Sequence, residues 1–418
     1  MIAVVGAGIT GLALGLELDR RGGEFVVFEA TDRPGGVIRS AEVDGRVLDW
    51  GPQRLRLTRK MERLLDDLGL ADDLVVAPPG LPLWIYRGER LREVPMSVGR
   101  FLASDIVGVG AKCRLLLEPF TRPADPAERV STYFRRKVGN ELYEALIAPL
   151  YGGLYASDPE DMQMDLSLMH VLREFGMRRS LLRPLLRRGG RIDPPPACTL
   201  RDGLEALPGA LATALGDRLR LESPVLDISR SGDGWQVRTD GGNLCAEAVV
   251  LTTPAPVTGR LLRTTAPDVG DAIARLRYNP LGVVHLDAET ELRGLGFQVA
   301  FSETERVLRG VTFNDSMFGR TNLYTAYLGG ARNPEVVELD DAGLAALAVS
   351  EFRHCTGYDA SPLAVERERI PAWDISWNAI RDLELPTGLH IAANWWSRPG
   401  LPGRFAEATR VARDLMGR

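Results

Sequence analysis

Hydrophobic positions along this chain switch between runs, alternations and a helical period, and each switch marks an element. Ile2-Ala-Val-Val5 is a short unbroken apolar run suited to a buried parallel strand, and a helical pattern follows from Leu12 to Arg21. Phe25-Val-Val-Phe28 is a second such run, which makes residues 1–78 the first βαβ half of an α/β domain. The chain leaves it near Ala77-Pro-Pro-Gly80. Segments 81–87 and 90–95 alternate as a hairpin does around Gly88-Glu89, and 110–190 reads mostly as helices. Arg218 to Val225 returns to the first sheet, a hairpin runs through Trp235-Gln-Val-Arg238 and Gly241-Gly242, and Ala248-Val-Val-Leu-Thr252 is another buried strand. From about 260 to 375 the pattern turns to β runs, such as Gly282–Leu286 and Asn322–Leu328, with a helix from Asp340 to His354. The expected organisation is one domain in three pieces, 1–78, 206–260 and 376–418, interrupted by a helical insert at 79–205 and a β-rich one at 261–375.

Between the first run and the first helix lies Gly6-Ala-Gly8-Ile9-Thr10-Gly11, a G-x-G-x-x-G in its strand–turn–helix setting. Gly6 permits the tight turn, Gly8 lets the backbone approach a diphosphate, and Gly11 lets helix and strand pack closely. The helix N-terminus adds unpaired N–H groups and a positive dipole end. The second run ends at Glu29, 18 residues past Gly11, where an acid meets a ribose hydroxyl and repels a 2′-phosphate. Glu29-Ala30-Thr-Asp-Arg33-Pro-Gly35-Gly36 then places a cation and a glycine pair where they can continue along the diphosphate. A dinucleotide site is predicted.

Composition narrows the class. The chain has 418 residues, 45% apolar and 26% charged, which excludes disordered and disulfide-scaffold readings. Its formal charge of −5 gives nucleic acid no general reason to bind. Cys113, Cys198, Cys245 and Cys355 form no C-x-x-C pair, so a zinc site is not indicated and a reducing, cytoplasmic location is expected. No stretch reaches the length of a membrane span.

The segment from Glu29 to Gly36 resembles the FAD-binding start of the flavin amine oxidase superfamily, where E-x(3)-R-x-G-G follows the fingerprint. Asp49-Trp-Gly51-Pro52-Gln53-Arg54-Leu-Arg56 is similar to the "E-L-G-P-R" stretch of protoporphyrinogen oxidases, with Gln53 in the arginine's place and Arg54 after it. Pro149–Pro159, Leu200–Pro208 and Gly310–Phe318 followed by Gly329-Gly330 resemble further segments of that family, and the matches run in the family's order over nearly the whole chain. Gly388-Leu-His-Ile-Ala392-Ala393-Asn394 and Gly400-Leu401-Pro402-Gly-Arg-Phe resemble the closing "G-L-x-L-A-G-N" and "G-V-G-V-P-D-C-I". Ala393 stands where glycine is usual, so either the cofactor sits differently or the local φ is negative. The resemblance is to the protoporphyrinogen/coproporphyrinogen oxidase family. It implies a Rossmann-like FAD-binding domain and non-covalent FAD held by Gly6, Gly8, Ile9, Thr10, Gly11, Glu29, Ala30, Arg33, Gly35, Gly36, Gly51, Pro52 and Gln53. Val225 would face the adenine, Thr253 would lie near the diphosphate, and Ala393, Asn394, Leu401 and Pro402 would close over the flavin.

By the same resemblance the substrate is a porphyrinogen, which loses hydride to flavin N5 and a proton from a pyrrole nitrogen, with oxygen or a quinone reoxidising the flavin. Arg54 and Arg56 are candidates for gripping a propionate, because guanidinium pairs bidentately with carboxylate; a surface or phosphate-facing role is the alternative. Phe313 and the region from Tyr151 to Tyr155 either line the cleft or pack the core, and the Trp395-Trp396 pair divides between packing and a cofactor contact. No catalytic side chain is singled out, and His170, His285, His354 and His390 sit in no nucleophile or metal spacing. Arg178, Arg179, Arg183, Arg187, Arg188 and Arg191, interleaved with leucines, form a stretch suited to peripheral contact with anionic lipid at the inner face of a membrane, or an ordinary connector. Amine oxidation, polyene desaturation and a catalytically idle flavoprotein are the competing functions.

Overall fold

Four consecutive apolar residues make a strand rather than a helical turn when both faces of the strand will be covered, and three such runs form the heart of this fold. A computed structural model of the chain describes residues 1–187, 189–397 and 400–417, without the side chains of residues 154, 155, 170, 171 and 174. Of the positions singled out above, the side chains of Tyr155 and His170 and the whole of Arg188 lie outside the described residues. The chain divides into two units: Met1–Val76, Pro195–Leu276 and Trp377–Arg418 make the first, Ala77–Pro194 and Arg277–Ser376 the second.

The first unit holds a five-stranded parallel sheet ordered Leu219–Arg220, Phe25–Phe28, Ile2–Val5, Ala248–Leu251, Leu389–Ile391. Its central strands are buried at every position. Helix Ile9–Arg20 packs against helices Ala206–Leu215 and Leu401–Met416, and Leu12, Leu211, Leu215 and Val411 share one apolar core with Val4 and Val27. Three antiparallel strands, Val225–Ser231, Gly234–Thr239 and Gly242–Ala246, complete the middle piece with helices Ala255–Leu262 and Pro267–Ala274.

Three sequence expectations shift. The first helix starts at Ile9, inside the glycine motif, because Gly8 takes the N-cap position ahead of the apolar pattern. Residues 255–274, read as partly β, are helical: a proline opens each helix, and Thr258, Leu261, Leu262, Val269 and Ile273 are buried at helical spacing. The changes of unit fall at 76/77, 194/195, 276/277 and 376/377. Residues 195–205 join the first unit because Ala197–Leu200 pairs with both Leu55–Arg56 and Leu74–Val76.

The second unit is built on a seven-stranded sheet ordered Ser361–Pro371, Tyr278–Asp287, Leu323–Gly329, Leu308–Phe313, Gly296–Val299, Leu83–Tyr86, Leu91–Glu93. All its pairings are antiparallel except Gly296–Val299 with Leu83–Tyr86. Helix Asp341–Thr356, capped by the Asp340 carboxylate accepting from Gly343 N at 2.7 Å, covers one face. Short helices fill most of residues 98–187. Among them Lys137 and Glu118 pair at 3.3 Å with both side chains fully buried.

Candidate functional site

The end of strand Ile2–Val5 fixes the geometry of the glycine loop. Gly6 has φ +103°, a conformation that favours glycine, and a Cβ at Gly11 would lie 1.9 Å from the Gly6 carbonyl oxygen. Helix and strand can therefore cross only here. Gly8 is different: a Cβ there would meet no protein atom within 4 Å. Gly35 N donates to Ala7 O at 2.8 Å, and Gly36, φ +61°, would bring a Cβ only within 3.3 Å of Gly8 Cα. Two stretches of bare backbone thus lie side by side. Helix Ile9–Arg20 has no side-chain cap and no acid in its first turn, so its N-terminal N–H groups face this trough without a competing carboxylate.

Glu29 sits at the end of the neighbouring strand. Its Oε2 accepts from Ala7 N at 2.8 Å and its Oε1 from Thr31 N at 3.1 Å, which pins the acid against the glycine loop. Glu29 and residues 220–223 are joined through backbone bonds, Glu29 N to Arg220 O and Ser223 N to Glu29 O, and these bring the strand beginning at Val225 to the same end of the sheet. Ala30 is exposed beside it. Arg33 does not reach along the trough: its guanidinium donates to Gly36 O at 2.7 Å and Ile38 O at 3.3 Å, clamping the Gly35-Gly36 loop. Gly51, φ +79°, packs its backbone against that loop, since a Cβ there would lie 2.5 Å from Val37 O. Gln53, next to the half-buried Pro52, is buried and donates to Asp49 O. Asp49 is itself buried, its Oδ1 accepting from Ser40 Oγ at 2.6 Å and Leu204 N at 2.8 Å.

The closing side comes from the C-terminal piece. Ala392 N donates to Leu251 O, continuing the sheet, and Ala393 follows, fully buried with negative φ. The alanine therefore fits without strain. Trp395 is buried, with its indole N–H donating to Thr253 O at 2.9 Å and its own carbonyl accepting from Trp377 Nε1 at 2.8 Å. It is a packing residue of this unit. Asn394, between Ala393 and Trp395, is exposed. Gly400, φ +84°, caps helix Leu401–Met416 without a side-chain bond; Leu401 is buried and Pro402 opens the first turn.

The fold thus brings the glycine loop, the Glu29–Gly36 segment, Gly51–Gln53, Thr253 and residues 393–397 and 400–402 to one end of the first unit. Thr10 is buried beneath it and Ile9 half-buried beside it. Of the substrate candidates, Arg54 is half-buried and Arg56 donates to Pro195 O at 3.0 Å, with burial lowering its pKa from the ordinary guanidinium value. Phe313 requires correction. Its side chain is fully buried in the core of the second unit, edge-on to Phe297 and Tyr324 at 6.0 and 5.3 Å, so it packs and presents no surface to a substrate. Sequence reasoning missed Val37, exposed on the loop between Gly36 and Gly51, and Arg404, buried under Ala393. An isolated valine carries no pattern, and one arginine among so many carries none either.

These residues fit a flavin dinucleotide. The trough is lined by backbone, the space beyond Gly8 is empty of protein, a carboxylate stands at the ribose end, and the helix N-terminus favours an anion. Residues 9–416 match the family model for flavin containing amine oxidoreductases. The chain is 28% identical to the chloroplastic protoporphyrinogen oxidase of Nicotiana tabacum, over 84% of this chain and 71% of the relative. It is 27% identical to protoporphyrinogen oxidase 2 of Arabidopsis thaliana, over 91% and 86% respectively. Among solved structures, an Exiguobacterium protein assigned as a protoporphyrinogen oxidase superposes with a TM-score of 0.80 at 23% identity, covering 99% of this chain and 98% of that one. A putrescine oxidase bound to putrescine superposes at 0.70 with 16% identity, covering 100% and 99%, a likeness of fold.

Proposed function

This chain belongs to the flavin-containing amine oxidoreductase family and is an FAD-dependent oxidoreductase, and from that premise we propose that it oxidises a porphyrinogen, protoporphyrinogen or coproporphyrinogen, to the porphyrin. The observation that carries the reading is the match to protoporphyrinogen oxidases across more than four-fifths of the chain in the first two relatives. The collinear motifs from Asp49 to Phe405 support it.

FAD, when bound, supplies a two-electron acceptor that oxygen can restore. The chain's own work is to hold and to orient. Gly8 and Gly36 leave the backbone open where a diphosphate would lie, Glu29 would accept from a ribose hydroxyl, Arg33 keeps the glycine pair folded, and Gly51, Pro52, Gln53, Ala393 and Asn394 would present backbone to the ring system. Arg54, half-buried beside Gln53, is the side chain we assign to a substrate carboxylate, because a guanidinium pairs bidentately with a carboxylate. Each round removes a hydride from a methylene-bridge carbon, which becomes a methine, and a proton from a pyrrole nitrogen, and no side chain is assigned to that proton. The test is anaerobic: each porphyrinogen is mixed with the yellow protein. Bleaching that air reverses supports the reading, and unchanged colour with both substrates sinks it.

The second unit adds a surface suited to lipid. Among the described residues no helix is long and apolar enough to cross a membrane. Leu186 and Ile192 are nonetheless exposed in the same stretch as exposed Arg178, Arg179, Arg183, Arg187 and Arg191, and Val109, Leu116 and Phe120, the last at 81%, are exposed elsewhere in this unit. Apolar side chains among unbroken positive charge suit an anionic bilayer, and we assign a cytoplasmic protein that docks there peripherally. Sedimentation with phosphatidylglycerol vesicles but not with phosphatidylcholine vesicles is expected; equal recovery in both supernatants removes the assignment.

A further inference from the structure

Among the positions near the C-terminus that depart from the closing pattern the chain otherwise resembles, the fold puts two in contact. Ala393 stands at the usual glycine, and Arg404 stands where G-V-P-D-C-I carries its cysteine. Arg404 lies in the first turn of helix Leu401–Met416, is 3% exposed, and its guanidinium donates to Ala393 O. We propose that Arg404 is a positioning residue for FAD: by fixing the carbonyl of Ala393 it holds the 393–395 turn in the conformation that closes on the cofactor. The proposal rests on that turn being a cofactor wall and is independent of the substrate.

The turn is tied at both flanks. The Ala393 carbonyl accepts from Arg404 and from Trp396 N at 3.1 Å on one side, while Thr253 O and Trp377 Nε1 hold Trp395 on the other, and both flanking residues are fully buried. Asn394 between them faces outward. A segment with locked flanks and a projecting centre meets a ligand without paying ordering entropy at the moment of binding. The tie is costly to the fold. Burial pulls the Arg404 pKa down to about 10, so it remains charged at neutral pH, and a cation in the first turn opposes the helix dipole. Glu407, whose charge favours the cation, has its two oxygens bonded to Arg410 at 2.7 and 3.0 Å. Glu407 keeps Arg410 as its partner without Arg404, so an apolar residue of similar volume at 404 strands no carboxylate, and stability alone does not account for this arginine.

The experiment titrates apoprotein of the parent, R404M and R404Q with FAD, following quenching of flavin fluorescence. Methionine fills the volume and donates nothing; glutamine keeps a planar donor for Ala393 O without the charge. We expect the FAD Kd to rise by about tenfold in R404M, the scale of one hydrogen bond, and to return within about threefold of the parent in R404Q. The visible circular dichroism of the bound flavin should change in R404M and recover in R404Q, while thermal midpoints of the apoproteins stay together. A parental Kd in R404M overturns the proposal, and so does equal weakening in both variants, which would assign the effect to charge. If R404M does not fold, R404Q against R404L decides: tighter binding by R404Q supports the tie, equal or tighter binding by R404L refutes it. Porphyrinogen appears in no arm, so a failed turnover assay leaves this result readable.

Discussion

The glycines of one motif make separable demands. With a Cβ at position 11 landing on the Gly6 carbonyl, G11A should destabilise the apoprotein by about 3 kcal/mol or more, read by urea unfolding. G8A meets no protein atom, so it should leave apoprotein stability unchanged and raise the FAD Kd by about tenfold or more. Equal effects of both variants on the apoprotein would contradict the open trough. The cysteines separate similarly. Burial pushes the Cys198 thiol up to about 11 and the Cys355 thiol up to about 12, while Cys113 and Cys245 are exposed. Thiolate is the reactive form, so a disulfide reagent at pH 8 should modify Cys113 and Cys245 rapidly and the buried pair only after denaturation. His390 gives a pH signature. Burial, then the Arg410 charge, lowers its pKa below the ordinary imidazole value. The unfolded chain therefore binds the proton at higher pH than the folded one, and stability falls as pH drops through the unfolded imidazole pKa toward the folded one. H390Q should flatten the decline in thermal midpoint below about pH 6.5.

At the scale of elements, the buried Glu118–Lys137 pair is where one substitution reaches furthest. Glu118 accepts from Ser180 Oγ at 2.6 Å and Leu181 N at 2.9 Å, and Lys137 Nζ donates to Arg179 O at 2.7 Å. The pair therefore places the start of helix Leu182–Arg187. K137M strands a buried carboxylate and should cost about 3–5 kcal/mol, whereas E118Q/K137M should recover much of it; a larger loss in the double variant would refute the ion-pair account. Sequence pattern could not show this, because the partners are scattered over 118, 137 and 180. It did show the strands Ile2–Val5, Phe25–Phe28 and Ala248–Leu251, whose uniform apolar character is visible locally. It missed helices Ala255–Leu262 and Pro267–Ala274, each of eight residues and too short for a helical period to stand out. It left Phe313 between cleft and core because an aromatic in a family motif looks the same whether it packs or binds.

For the whole molecule, the candidate site was legible where chemistry is written in glycines and acids, and illegible where remote residues support it, as at Arg404, Trp395 and Asp49. FAD at about a hundredfold above its Kd should stabilise the folded state by about 2.7 kcal/mol and raise the thermal midpoint by roughly 5–10 °C. No shift on adding FAD would deny the trough its ligand. The five-stranded parallel sheet threads together Ile2–Val5, Ala248–Leu251 and Leu389–Ile391, and helix Leu401–Met416 packs on helix Ile9–Arg20. A nascent chain consequently cannot finish this sheet while the ribosome still encloses the last strand. Strand Ala248–Leu251 must wait, unpaired on one edge, for Leu389–Ile391, so flavin capture belongs after translation, and a chaperone that shields that edge should raise the yield of holoprotein.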